Sequence, residues 1–370
     1  MLFVCLSHFS DAYARSAPGD LVFTILQHVA MLASPTFVLI SGLLLGFLYR
    51  THPEAMPTLR VKLVDRGLFL LTIGHLLIAV AHVPIAGGFG AALQWGFITD
   101  VIGFGLLFGP TMVERTTAKT RLTLAFAAYT LSWIAVVGWR PETAALERVK
   151  EYVFGAVALP HLGPRLVVDC FPLIPWLALY IAATALGERL GALFRARSTA
   201  RANVVLTRLA VTCFIAALAA KAVPFGLHWL GWLPPSEITW VLSWPFQKQP
   251  PSPVYLGFFG GLGLLVLRAV LAIEAQPALR RWLVLPATVG RASLAVFIAQ
   301  YYLYFTLIVL WRPALSVFWP LLFAASVAVL VGVALQWERY GSNDLFSVGY
   351  RRLVAASPRP HMVSAPRDAP

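Results

Sequence analysis

Residues 65–84 read DRGLFLLTIGHLLIAVAHVP, and this stretch decides the class of the protein. As an α-helix, twenty residues rise about 30 Å, the thickness of the hydrocarbon core of a bilayer. Apolar runs of comparable length occupy 21–49, 92–110, 121–138, 170–187, 203–222, 254–273, 292–311 and 314–335, which together predict nine complete spans. The first is long for a straight crossing, so tilt or an irregular stretch is expected around Pro35. Composition agrees: 59% of the 370 residues are hydrophobic and 12% charged, with a mean hydropathy of +0.76. No water-exposed surface could accommodate that balance, so the solvent is largely lipid.

Ahead of these spans lies Met1–His8, apolar but rising only about 12 Å as a helix. It is too short to cross, and the expectation is a tenth helix whose beginning lies upstream of Met1. Sequence therefore predicts an all-α polytopic membrane helix bundle over 1–340, with about ten transmembrane helices, the first truncated. A disordered tail is expected over 341–370, where ASPRPHMVSAPRDAP ends the chain.

Charge sets the expected orientation. The segments 50–66, 111–121, 188–204, 268–291 and 336–370 carry 20 Lys plus Arg, against seven in the alternating segments. By the positive-inside rule both ends are cytoplasmic, and the loops 139–170 and 223–254 face outward. This asymmetry accounts for the formal charge of +13 without a nucleic-acid partner. In 139–170 the run YVFGAVALPH is too short to span and is expected to lie in the interface or dip back. The 223–254 loop, with Trp229, Trp232, Trp240 and Trp244, reads as an aromatic belt. Cys5, Cys170 and Cys213 lack metal-ligand spacing, so neither zinc nor a disulfide framework is expected.

Ionisable side chains inside spans are costly unless they face a cavity or a partner, which makes them the places to look for chemistry. His75, Asp100 and Gln300 are expected near mid-membrane, His8 and His28 toward the outer face, with Arg208 a further candidate. In SHFSDAY, Asp11 follows His8 by three residues and could hold the imidazole as a base; the alternative is a surface histidine beside a helix end. Asp100 could pair with His75, cap a backbone or stay protonated. Gln27 and His28 point about 100° apart, and an interhelical hydrogen bond serves for each. Arg60, Lys62 and Arg66 stand where a helix enters from the cytoplasm, as phosphate ligands or as anchors. No P-loop, dinucleotide fingerprint, HExxH or GxSxG is present.

Five segments together carry a resemblance: SPTFVLISGLLLGFLYR, TLRVKLVDRGLFLLTIGHLL, VVDCFPLIPWLALYIAATALGERLG, KQPPSPVYLGFFGGLGLL and VGRASLAVFIAQYYLYF. They resemble bacterial relatives of the heparan-α-glucosaminide N-acetyltransferase catalytic domain, within the acyltransferase-3-like superfamily of membrane glycan acyltransferases. The specific parts are Asp169, Phe171, Pro172, Leu173, Pro175 and Trp176, and the Lys248, Pro250, Pro251, Ser252 run. In such families the first helix opens with an Arg-Gly pair and ends some ten residues later in a histidine. MLFVCLSH matches only the histidine end. The resemblance thus implies His8 as catalytic base and an acyl-CoA donor, expected to be acetyl-CoA, whose phosphates meet Arg60 and Arg66. Two departures stand out: Phe297 and Gln300 occupy the Tyr and His places of an SL-x-x-Y-x-x-H pattern, and Asp100 replaces a commonly uncharged Gln.

The expected function is acyl transfer in a bacterial inner membrane, from cytoplasmic acyl-CoA to a hydroxyl or amino group of an extracytoplasmic glycan or lipid-linked sugar. His8 would act with Asp11, while His28, His75, Asp100, Asp169, Lys248 and Gln300 would line the passage. No metal is expected. Two rivals remain: a transporter or flippase for a lipid-linked sugar, and a non-catalytic membrane partner.

Overall fold

The computed structural model describes residues 1–14, 21–157, 170–231, 237–311, 318–341, 345–351 and 354. Among these every extended element is helical, and the isolated bridges Gly96–Cys170 and Lys248–Pro251 are the sole β-type pairings. The chain is an all-α, multi-pass helix bundle. In order come α1 (Leu2–Ala14), α2 (Leu21–Ala30), α3 (Ala33–Thr51), α4 (Met56–Phe69), α5 (His75–Ala86), α6 (Phe89–Ala92), α7 (Ile98–Arg115), α8 (Ala118–Gly138) and α9 (Ala144–Val153). They are followed by α10 (Leu173–Arg195), α11 (Thr199–Trp229), α12 (Glu237–Ser243), α13 (Pro253–Glu274), α14 (Pro277–Arg280), α15 (Val284–Arg291), α16 (Ser293–Tyr301), α17 (Val309–Trp311) and α18 (Trp319–Tyr340).

Eight continuous helical stretches among the described residues are long and apolar enough to cross a bilayer, from Thr24–Thr51 to Trp319–Tyr340. Two of them contain a π-helical turn: Leu70–Gly74 joins α4 to α5, and Tyr302–Ile308 joins α16 to α17. Eight of the nine expected spans have a counterpart here. The expected 92–110 span does not, because α7 begins only at Ile98, after the short α6 and a turn, and its 18 residues include three charged ones. Asp100 then falls in the first turn of α7, and Glu114 and Arg115 in its last. This corrects the mid-helix position expected for Asp100. Its carboxylate accepts from the Phe97 backbone N–H at 2.9 Å, capping the helix.

The N-terminal stub is likewise longer than expected. It is a 13-residue helix that runs through His8 to Ala14, burying Val4, Cys5, Phe9 and Tyr13 against the rest of the bundle. His8 is therefore mid-helix, not at a helix end.

The tightest packing in the bundle joins α3 to α10. Gly42 and Gly46 on one and Gly187 and Gly191 on the other repeat at four-residue spacing, a small-residue pattern that lets membrane helices approach backbone to backbone. Cβ atoms placed at Gly42, Gly46 and Gly187 would fall well within 3.0 Å of the carbonyl oxygens of Tyr180, Thr184 and Leu43 respectively. One turn away, the fully buried Arg121 of α8 pairs with Glu188 and donates to Thr184 Oγ1 at 3.2 Å, so the buried cation is matched.

The first described residues after α18 are not disordered, contrary to the tail expected over 341–370. Asp65, 4% exposed, accepts from Ser347 Oγ at 2.6 Å and from the backbone N–H groups of Val348 at 3.0 Å and Tyr350 at 3.1 Å. Phe346 stacks on Trp337, with ring centroids 4.7 Å apart, and meets Phe69 edge to face. Asp65→Ala removes the common acceptor of three donors, a loss of about 1–3 kcal/mol to the docked segment. Trypsin should then cut at Arg351 at least several-fold faster in folded protein; an unchanged rate would show that the aromatic contacts alone hold the segment.

Candidate functional site

The arginine-rich helix ends, bearing Arg50, Arg60, Arg66, Arg115 and Arg195, define a basic end of the bundle. At the opposite end, α5, the 87–97 turn, α7 and α9 meet at Asp100. Besides its capping bond, Asp100 Oδ2 accepts from Tyr152 Oη at 2.9 Å and Oδ1 faces His75 Nδ1 at 3.0 Å. The other nitrogen of His75 lies 3.2 Å from the Leu93 carbonyl. A carbonyl only accepts, so Nε2 carries hydrogen. Burial, and then the nearby carboxylate, push the Tyr152 phenol up, which keeps it a donor.

A second group forms one layer away, where α1 packs on α16 and the π-helical turn beyond it. The His8 ring lies 4.6 Å from Tyr301 and 5.2 Å from Phe305, with Phe297 edge-on at 6.2 Å. The same Tyr301 and Phe305 rings touch His82, at 4.9 and 4.6 Å. Phe97 joins the groups, 5.2 Å from His75 and 5.1 Å from His82. His82, 4% exposed, was not singled out by sequence reasoning. Its place near the end of an apolar run gave no signal until the fold stacked it on the rings that hold His8. Its Nδ1 donates to the Ile78 carbonyl at 2.8 Å, which in the neutral ring leaves the lone pair on Nε2.

The expected His8–Asp11 dyad is not formed. Asp11 is exposed on α1, whereas His8 turns into the aromatic cluster and its Nδ1 is enclosed, with no hydrogen-bond partner among the described residues. Three residues apart on one helix, the two side chains start only about 60° apart, but the His8 ring is taken up by Tyr301 and Phe305 while Asp11 stays at the exposed edge.

On the basic side a cavity of about 240 Å³ runs between α3, α4, α7 and α16. Arg66 contributes its one cation, and Ser41, Thr99 and Ser293 contribute hydroxyls to a wall otherwise made of leucine, isoleucine and phenylalanine. Phe37 and Phe297, stacked parallel with centroids 5.2 Å apart, lie on this wall. The cavity is smaller than the roughly 300–1,000 Å³ of most ligand pockets, suited to a slender chain and not to a nucleotide.

The remaining candidates divide. Arg60 lies outside the cavity wall and pairs with Glu114 at 2.9 Å, so the two arginines expected to act together are separated. Lys248 lies 4.8 Å over the Phe171 ring and, with His82, within electrostatic reach of His8. His28 bonds the Thr24 carbonyl at 2.6 Å and packs on Phe246, apart from the His8 cluster. Arg208 is exposed on α11. Gln300 is wholly buried on α16, and Asp169 lies outside the described residues. No protein-family model, curated protein or solved structure matches the chain.

Proposed function

We propose that the protein is a membrane acyltransferase that moves an acyl group from a cytoplasmic acyl-CoA to a hydroxyl or amino group of an extracytoplasmic glycan. One observation carries this reading. Phe297 belongs both to the cavity wall and to the ring cluster around His8, so a thioester drawn into the cavity would stop one side chain short of a half-buried imidazole. Arg66 supplies a positive charge for an anionic donor, and the narrow cavity admits the pantetheine arm while the nucleotide stays outside. His8 then takes the acceptor's proton as the new bond to the acyl carbon forms, and returns it to the departing thiolate. His82, His75, Asp100 and Lys248 belong to the acceptor side.

The test uses purified protein in lipid vesicles with radiolabelled acetyl-CoA inside and candidate glycans outside. Label appearing on glycan is the expected result. Absence of labelled glycan, together with passage of lipid-linked sugar across the vesicle membrane, would overturn the proposal in favour of a transporter.

A further inference from the structure

Gln300 is 0% exposed, yet neither Nε2 nor Oε1 of its amide has a hydrogen-bond partner among the described residues. A buried amide lacking both partners carries an uncompensated desolvation cost, a condition that proteins rarely keep without use. Position suggests the use. On α16 the helical rotation sets Gln300 about 60° from Phe297 and about 100° from Tyr301, the two rings that lie against His8. Among the described residues His8 Nδ1 is likewise unpartnered, as is Thr99 Oγ1, on a residue that lines the cavity.

We infer that Gln300 is the carbonyl-polarising residue of the transfer, its amide N–H donating to the thioester oxygen as charge develops there. The inference rests on the acyl-transfer reading above. In the first step the acceptor oxygen or nitrogen bonds to the acyl carbon, its proton goes to His8, and the carbonyl π pair moves to the oxygen held by Gln300. In the second the carbonyl re-forms, the carbon–sulfur bond breaks, and the thiolate takes the proton from His8. Each atom and electron pair is accounted for within donor, acceptor and these two side chains. Donors aimed at such an oxygen are among the largest contributors to acyl-transfer rates.

Gln300→Met separates this role from a structural one, because methionine keeps the shape and removes the unpartnered amide. Expected are a fall in kcat of about 100-fold with the KM for acyl-CoA little changed, and a thermal midpoint at or above that of the parent by about 1–3 °C. Gln300→His, which restores an N–H donor, should recover part of the rate. Wild-type kcat in Gln300→Met, in a protein whose parent transfers acyl groups, would overturn the inference and leave the acyl-transfer reading intact. Lost stability in Gln300→Met would also overturn it, by showing a structural partner for the amide. An inactive parent would remove the reading on which both rest.

Discussion

Gly46→Leu should severely destabilise the folded protein. The Cβ alone would fall well within 3.0 Å of the Thr184 carbonyl oxygen, and the next nearest atoms are the Thr184 carbonyl carbon and the Glu188 backbone nitrogen. Backbone cannot rotate away as a side chain can, so α3 and α10 must separate. Separation breaks the reciprocal contacts of Gly42 and Gly187 and strains the Arg121–Glu188 pair anchored on the same turn of α10. Overpacking of an adaptable core costs about 1–3 kcal/mol, and with backbone as the obstacle the loss should be at or above the top of that range. Thermal unfolding and size exclusion of the solubilised protein measure it. Gly332→Leu is the control, since a Cβ there meets nothing within 4 Å. A Gly46→Leu midpoint within about 2 °C of the parent would show that the two helices are not packed as described.

The second large effect concerns chemistry. His8→Ala should lower the acyl-transfer rate by about 10²–10⁴-fold, the usual range for removing a general base. His8→Phe should lower it equally while keeping the packing on Tyr301 and Phe305. Because His8 Nδ1 has no partner to lose, the phenylalanine variant leaves no polar group newly orphaned, and its thermal midpoint should stay near the parent's. Asp11→Ala, by contrast, should remain within about threefold of the parent, since an exposed carboxylate without a bond to the imidazole has little hold on it. Retained transfer in both His8 variants at equal membrane abundance would remove His8 from the mechanism.

The membrane class was legible from apolar run lengths because a bilayer imposes a length on whatever crosses it. The partnership of His75 with Asp100 was legible too: an imidazole and a carboxylate in apolar surroundings have few other ways to be satisfied. The place of Asp100 along its helix was misread because FGAALQWGF is as apolar as a span, and hydropathy does not distinguish a turn that packs from a helix that crosses. His82 and the Gly42, Gly46, Gly187 and Gly191 contact were missed for related reasons. One is a ring whose meaning depends on which helix lies opposite, and a glycine pattern in a single chain does not name its partner. Docking of Phe346 and Ser347 on α4 joins residues some 280 positions apart, beyond any local pattern.

The π-helical turn between α4 and α5 acts as a phase shifter. It takes up one more residue than an α-helical turn, so the faces before and after it are offset by about 100°. Leading into the turn, Leu63, Arg66 and Leu70, its first residue, form one stripe and line the cavity. After it, His75 and His82 look toward Asp100 and the aromatic cluster. In an unbroken α-helix His75 and His82 would stand about 100–120° around from Leu63; the extra residue cancels most of that angle, so one helical stretch of 34 residues from Pro53 to Ala86 keeps the cavity stripe and the two histidines turned toward the α7 side. Deleting one residue of the turn would swing His75 and His82 about 100° around the helix axis, away from Asp100, with Arg66 left in place.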